Sequence, residues 1–178
     1  MTDTGPGFDS EGDADIAPDG PNDATWRFAH VVGGSYRVFY GREAVTLLEM
    51  KPWTLRGGFQ LGDAYYRIEA GLLSRFLTLA TWGQLVARAD VGFVRRSARI
   101  AFEDRELSLR PGFALAPTLG TLLVEESGRQ IGRMRPRRFS SPPVDGVVEL
   151  PWDVPLAVRL FTVYVALVLW KTWSYYNH

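Results

Sequence analysis

From Trp26 onward, apolar residues recur at every second position. Tyr36, Val38 and Tyr40 alternate with Arg37 and Phe39, and Trp53 and Leu55 with Thr54 and Arg56. Tyr66 and Ile68 alternate with Arg67 and Glu69, while Ala98, Ile100 and Phe102 oppose Arg99 and Glu103. Leu107 and Leu109 alternate with Ser108 and Arg110, and Val148 and Leu150 with Val147 and Glu149. A period of two, apolar on one side and charged on the other, predicts half-buried antiparallel strands. Turn chemistry separates them at Gly33-Gly34, Gly41, Gly57-Gly58, Gly62-Asp63, Trp82-Gly83, Asp104-Arg105 and Ser127-Gly128. Roughly ten to twelve short strands follow, spaced as in a sandwich or barrel. Strands do not alternate with helices, so a parallel α/β sheet is not expected.

One stretch breaks the period. Val154 to Trp173 is apolar on every face, with Asp153 placed to cap a helix and Pro155 in its first turn. Such a helix is wrapped either by protein or by lipid. Arg159 and Lys171 bracket only 11 uncharged residues, 160–170, whereas a bilayer span takes about 20. That favours a buried helix. The alternative is a tail anchor whose Arg159 and Lys171 snorkel, with Trp170, Trp173, Tyr175 and Tyr176 as an interfacial belt. A closed sheet of this many strands has a lumen wider than its own side chains fill. The expected fold is therefore mainly β: a closed antiparallel barrel over residues 25–178, with the C-terminal helix 154–173 through its centre.

Composition adds an asymmetry that the zero net charge conceals. Residues 1–25 carry seven acids and no base, leaving 20 bases against 13 acids in 26–178, and 18 of those bases are Arg. Residues 1–24 read as a disordered acidic tail. Asp9, Glu11, Asp13 and Asp15 have the alternation of calcium ligands, but Ala14 stands where an EF-hand loop needs glycine. The sequence has no cysteine, which excludes disulfides and thiolate chemistry. No signal peptide is read at the N-terminus, so the expected location is the cytoplasm, or the cytosolic face of a membrane. Leu77–Arg88 and Leu122–Arg133 are similar hairpins whose turn glycines, Gly83 and Gly128, lie 45 residues apart. Duplication and chance account for the likeness equally well.

Candidate chemistry is sparse. The two histidines are His30 and His178, and no nucleophile elbow, phosphate loop or zinc motif occurs. No catalytic residue, metal site or cofactor is expected. Arg133, Arg135, Arg137 and Arg138, with Phe139 beside them, form the densest basic cluster. They can grip the phosphate of an anionic phospholipid headgroup; nucleic acid is not expected as the partner. Equally, charges and Pro136 there can blunt a sheet edge against aggregation. Arg95, Arg96 and Arg99 form a smaller cluster. The acidic tail is a candidate internal competitor for these arginines.

The strand rhythm, then Asp145-Gly-Val-Val-Glu-Leu-Pro-Trp-Asp-Val-Pro155 leading into a terminal apolar helix, resembles the tubby C-terminal-like superfamily. The phospholipid scramblases and plant LURP-one-related proteins are the nearest groups. In scramblases an apolar strand and Pro-x-Asp precede the helix, as Val148, Leu150, Pro151 and Asp153 do here. The resemblance implies a barrel threaded by its C-terminal helix, acting as a non-catalytic binding module for anionic lipid at the cytosolic membrane face. It does not imply calcium-activated scrambling, because only Asp145 and Asp153 remain of the acidic segment and no palmitoylation cysteines are present.

Overall fold

The computed structural model describes residues 25–31, 33–51, 54–71, 75–93, 95–112, 120–137 and 143–175. Twelve strands form where the apolar alternation runs: β1 (Trp26–Val31), β2 (Ser35–Tyr40), β3 (Glu43–Met50), β4 (Gly57–Leu61), β5 (Ala64–Ala70) and β6 (Phe76–Thr81). Then come β7 (Gln84–Gly92), β8 (Ser97–Phe102), β9 (Arg105–Pro111), β10 (Leu122–Glu126), β11 (Arg129–Pro136) and β12 (Asp145–Glu149). Each strand pairs antiparallel with the next, and β12 returns to β1, with Trp26 opposite Val148. The result is a closed up-and-down barrel without an edge strand. Inward positions are apolar and buried: Tyr36, Val38, Ile68, Leu77, Leu79, Ile100, Phe102, Leu107, Leu109 and Met134. Outward positions carry Arg37, Glu49, Arg67, Glu69, Arg88, Asp90, Arg99, Arg110, Arg133 and Arg135, all exposed. That is the reverse of the apolar outer band of a membrane barrel.

Helix α1 (Leu156–Tyr175) fills the lumen. Every residue from Ala157 to Trp170 is buried, and the helix belongs to the same core as the inward side chains of the strands. It comes nearest to β7 and β8, where Ala87, Ala89 and Ala98 leave room for its backbone. On the far side the space is taken by Phe28, Tyr36 and Phe59. Phe28 stacks on Trp170 with ring centroids 5.7 Å apart. The tail-anchor alternative gives way here: the apolar helix is wrapped by strands. Among the described residues no helix is long and apolar enough to cross a membrane.

Because the sheet is a simple meander, its connections alternate between two ends. At one end are two-residue turns, Gly41-Arg42, Gly62-Asp63, Trp82-Gly83, Glu103-Asp104 and Ser127-Gly128, and there the chain passes from β12 into α1. At the other end are the longer connections, and there α1 ends, its Trp170 indole donating to the Gly120 carbonyl. Three of the tight hairpins, β2–β3, β6–β7 and β10–β11, each carry a register shift two residues before the turn. The extra residues, Val45, Val86 and Ile131, pack against the core. Bulges bend and twist a strand, so these three draw the wall in around the helix. The two similar hairpins of the sequence are two of this set, and β2–β3 has the same shift without the likeness.

Several details differ from expectation. Thr54 and Leu55 are not in a strand: Leu55 lies in the β3–β4 connection at a φ of 51°, and Trp53 lies outside the described residues. Gly57-Gly58 opens β4 instead of making a turn. Asp104-Arg105 is displaced by one residue, the turn being Glu103-Asp104 with Arg105 already in β9. The helix begins later than Val154, because the first intrahelical bond runs from the Arg159 N–H to the Pro155 carbonyl. Pro155 thus occupies the capping position, and Asp153 does not cap. The expected acidic tail, residues 1–24, lies outside the described residues.

The Asp153 carboxylate is held by Arg105 at 2.8 Å, and Arg105 also donates to the Asp153 carbonyl at 3.1 Å. The same guanidinium grips Glu126 in two hydrogen bonds of 2.6 and 3.0 Å. One side chain therefore ties β9, β10 and the segment preceding the helix. Hydrogen bonding from Arg105 holds the Glu126 carboxyl below its ordinary value. A depressed acid stabilises the fold above its unfolded pKa, and that contribution is lost as pH falls through the folded value. Arg105→Gln is expected to lower the melting temperature at pH 7 by about 2–4 °C. The gap from wild type should close below the ordinary glutamate range, about pH 4.3. A gap constant down to acid pH would show that the ion pair is not its source.

Candidate functional site

The four predicted arginines are not brought together as one site. Arg133 lies on the outer wall of β11, opposite Glu149 of β12, and its Nε donates to that carboxylate at 2.7 Å. Hydrogen bonding from Glu149 raises the Arg133 pKa, and this side chain is largely neutralised by its neighbour. Arg135 shares the outer face, with Val147 between it and Arg27 of β1. Although it points outward, Val147 is buried. β11 ends at Pro136. Arg137 follows in a bend, exposed, its N–H bonded to the Asp145 carbonyl at 3.0 Å. Arg138 and Phe139 lie outside the described residues. Edge protection falls away as an explanation, since β11 is paired on both sides.

Topology collects a different set of charges. The described residues of the longer connections contribute Lys51, Arg56, Arg75, Arg95, Arg96 and Arg137, with no acid among them. Lys171, on the last turns of α1, adds a seventh base at this end. Partial burial pushes its ammonium pKa down. At the other end, the tight turns and the segment leading into α1 hold Asp63, Glu103, Asp104 and Asp153 against Arg42. The barrel is therefore polarised along its axis, basic where the helix ends and acidic where it begins. Arg137 is the one described residue of the predicted cluster that belongs to the basic end. A signal for the rest is present in the sequence. Once the fold is an up-and-down meander, alternate connections share an end, and reading every second one finds bases only.

The basic end also has a concave feature. A cleft of about 360 Å³ beside the β7–β8 turn is lined by Arg75, Asp90, Gly92, Arg95, Ser97 and Arg99. Asp90 is engaged by Arg88 at 3.4 Å; Arg75, Arg95 and Arg99 line the cleft as exposed residues, none with an ion pair among the described residues. Arg95 and Arg99 come from the smaller cluster seen in the sequence, and Arg75 arrives from the β5–β6 connection. Planar guanidinium forks suit phosphate or carboxylate oxygens.

Among the described residues, no group of three or more His, Asp or Glu side chains gathers to hold a metal ion. His30 packs edge-on against Tyr36, ring centroids 5.2 Å apart. Asp9, Glu11, Asp13 and Asp15 lie outside the described residues. Comparison of the chain with protein-family models, with curated proteins and with solved structures gives no match.

Proposed function

We propose that the barrel is a non-catalytic binding module that docks its basic end on an anionic surface, with phospholipid headgroups as the ligand. The observation that carries this reading is the segregation of charge: bases alone in the described long connections, a net acidic set at the opposite end. A polarised field orients an approaching protein before contact and raises its encounter rate. The cleft between Arg75, Arg95 and Arg99 gives one headgroup a place to sit. The surface is one that an anionic cytosolic leaflet would attract. The tubby-like and scramblase-like resemblance is part of the same proposal, because it implies the same mode of action. The outer wall, with charges of both signs on exposed side chains, stays in water under this reading.

Co-sedimentation with phosphatidylcholine vesicles, with and without phosphatidylserine, tests it. Binding is expected only with phosphatidylserine and should weaken steeply between low and high salt. Each rim base near the surface contributes about 1 kcal/mol. Arg75→Gln, Arg95→Gln and Arg137→Gln together should therefore weaken binding about a hundredfold. Arg133→Gln, already paired with Glu149, should change it little. Binding to neutral vesicles that ignores salt, or a triple variant that binds as wild type does, would sink the proposal.

A further inference from the structure

The cleft at the basic end is not lined by bases alone. Asp90 of β7 stands on its wall, directly across the β7–β8 ladder from Arg99. It is the one acid among the described lining residues. In a site that takes only an anion a carboxylate is a liability, since it repels the phosphate its neighbours attract. Its own partner holds it weakly. Arg88 Nη2 reaches Asp90 Oδ1 at 3.4 Å, longer than the roughly 2.7–2.9 Å of a charge-assisted hydrogen bond. Both side chains are more than half exposed, and such pairs contribute little. Arg88 also lies over the Phe76 ring, 4.7 Å from its centroid. Among the described residues, Oδ2 of Asp90 makes no hydrogen bond, and Arg75, Arg95 and Arg99 form no ion pair.

Between these charges a glycine keeps the cleft open. Gly92 faces Ser97 across the same ladder, on the outer side of the wall with Asp90 and Arg99. A Cβ at Gly92 would lie 3.5 Å from the Ser97 hydroxyl and 3.4 Å from the Ser97 carbonyl oxygen. Its φ is not in the left-handed region, so the backbone does not call for glycine here. The missing side chain leaves the hydroxyl uncovered beside the carboxylate and the guanidinium groups.

We propose that the cleft is selective for a phosphoserine headgroup, which carries a phosphate, a carboxylate and an ammonium. This rests on the docking proposed above and names the lipid that the same site prefers. The groups match in kind: guanidinium forks for the phosphate and carboxylate oxygens, and Asp90 for the ammonium. Ser97 adds a hydroxyl that donates to a phosphate oxygen. A phosphoglycerol headgroup has the same net charge but no ammonium, so it satisfies the arginines and leaves Asp90 facing an anion. A phosphoethanolamine headgroup has the ammonium and lacks the carboxylate. The volume of about 360 Å³ lies at the lower end of the roughly 300–1,000 Å³ of small-ligand sites.

Vesicles of phosphatidylcholine with equal fractions of phosphatidylserine or phosphatidylglycerol test this at constant surface charge. The full chain should bind the serine vesicles about fivefold more tightly, as expected of one or two exposed charge pairs. Asp90→Asn should bring that ratio close to one. So should Gly92→Val, which fills the cleft without changing its charge. Equal binding of both lipids by the wild type overturns the selectivity and leaves docking by charge in place. A ratio that survives both substitutions places the preference elsewhere and overturns it too. Binding to neither overturns the docking, and soluble headgroups then decide the cleft by itself. In NMR titrations of the wild type, the Gly92 and Ser97 amides should shift and saturate with glycerophosphoserine, and respond only weakly to glycerophosphoglycerol. Absent shifts, or the same shifts with both, overturn the site. Equal saturation by glycerophosphoethanolamine overturns the carboxylate contact, and with it the assignment to serine. Should a variant not fold, the wild-type lipid ratio and these titrations decide.

Discussion

Ending the chain at Asp153 is expected to abolish the barrel, not trim it. Ala157 to Trp170 are fourteen consecutive residues buried by the strands around them. Each large apolar side chain contributes about 1.5–3 kcal/mol on burial. Their sum is far above the 5–15 kcal/mol of net stability typical of a domain. Without them the inward faces of twelve strands surround a space too wide to collapse into. The truncated protein should lose cooperative unfolding in circular dichroism, disperse no methyl resonances in NMR and aggregate. Val163→Arg asks the same of the intact chain: Val163 is 3% exposed on the helix, and an unpaired charge there costs several kcal/mol. A compact residue 1–153 product with a sharp thermal transition would show that the helix is an accessory to a barrel complete without it.

The same geometry explains what the sequence disclosed and what it did not. Wall positions were legible because period two is enforced wherever one face meets the lumen and the other meets water. Tyr36, Val38, Ala98, Ile100, Leu107 and Leu109 are all buried, and Arg37, Arg99 and Arg110 exposed, as the alternation requires. The helix was legible for the opposite reason, since a segment enclosed on every side has no polar face to show. Where the pattern misled, a local irregularity had replaced it. In β3 the shift opposite Val38 and Phe39 puts Leu47 outside and Leu48 inside, which blurs the alternation. Leu55, read as part of a strand, lies in the β3–β4 connection, which its positive φ sets apart from the ladder.

Charges were harder to place than core residues. Arg133, Arg135 and Arg137 are close in sequence, but a strand sends neighbours in sequence along the wall, whereas closure brings distant connections to one rim. Arg75, Arg95 and Arg99 share a cleft only because β5–β6 and β7–β8 turn at the same end. Likewise Arg159 reads as a bracket of an apolar run until Trp26, from the first strand, is seen against it. Sequence spacing encodes the first kind of proximity and not the second.

Gly57→Ala should destabilise the protein even though glycine-to-alanine changes at unstrained positions usually stabilise by about 0.4–1 kcal/mol. At Gly57, the first residue of β4, φ is not in the left-handed region, so conformation is not the obstacle. Space is. A Cβ built there would lie 1.8 Å from the Glu49 carbonyl oxygen and 2.9 Å from the Tyr164 hydroxyl. The first neighbour is backbone locked in the β3–β4 ladder, where Gly57 faces Met50 and Gly58 faces Glu49. The second belongs to the helix and is fully buried. Neither can swing aside as a flexible side chain does, so the cost should reach the upper part of the overpacking range, about 3 kcal/mol. That corresponds to a fall in melting temperature of roughly 6–12 °C. Gly62→Asn is the control: its φ is +55°, a Cβ meets nothing within 4 Å, and asparagine tolerates that conformation. Its melting temperature should stay close to wild type. Equal losses at the two positions would mean that β4 can retreat from the helix, and that the wall is not held against its plug at that point.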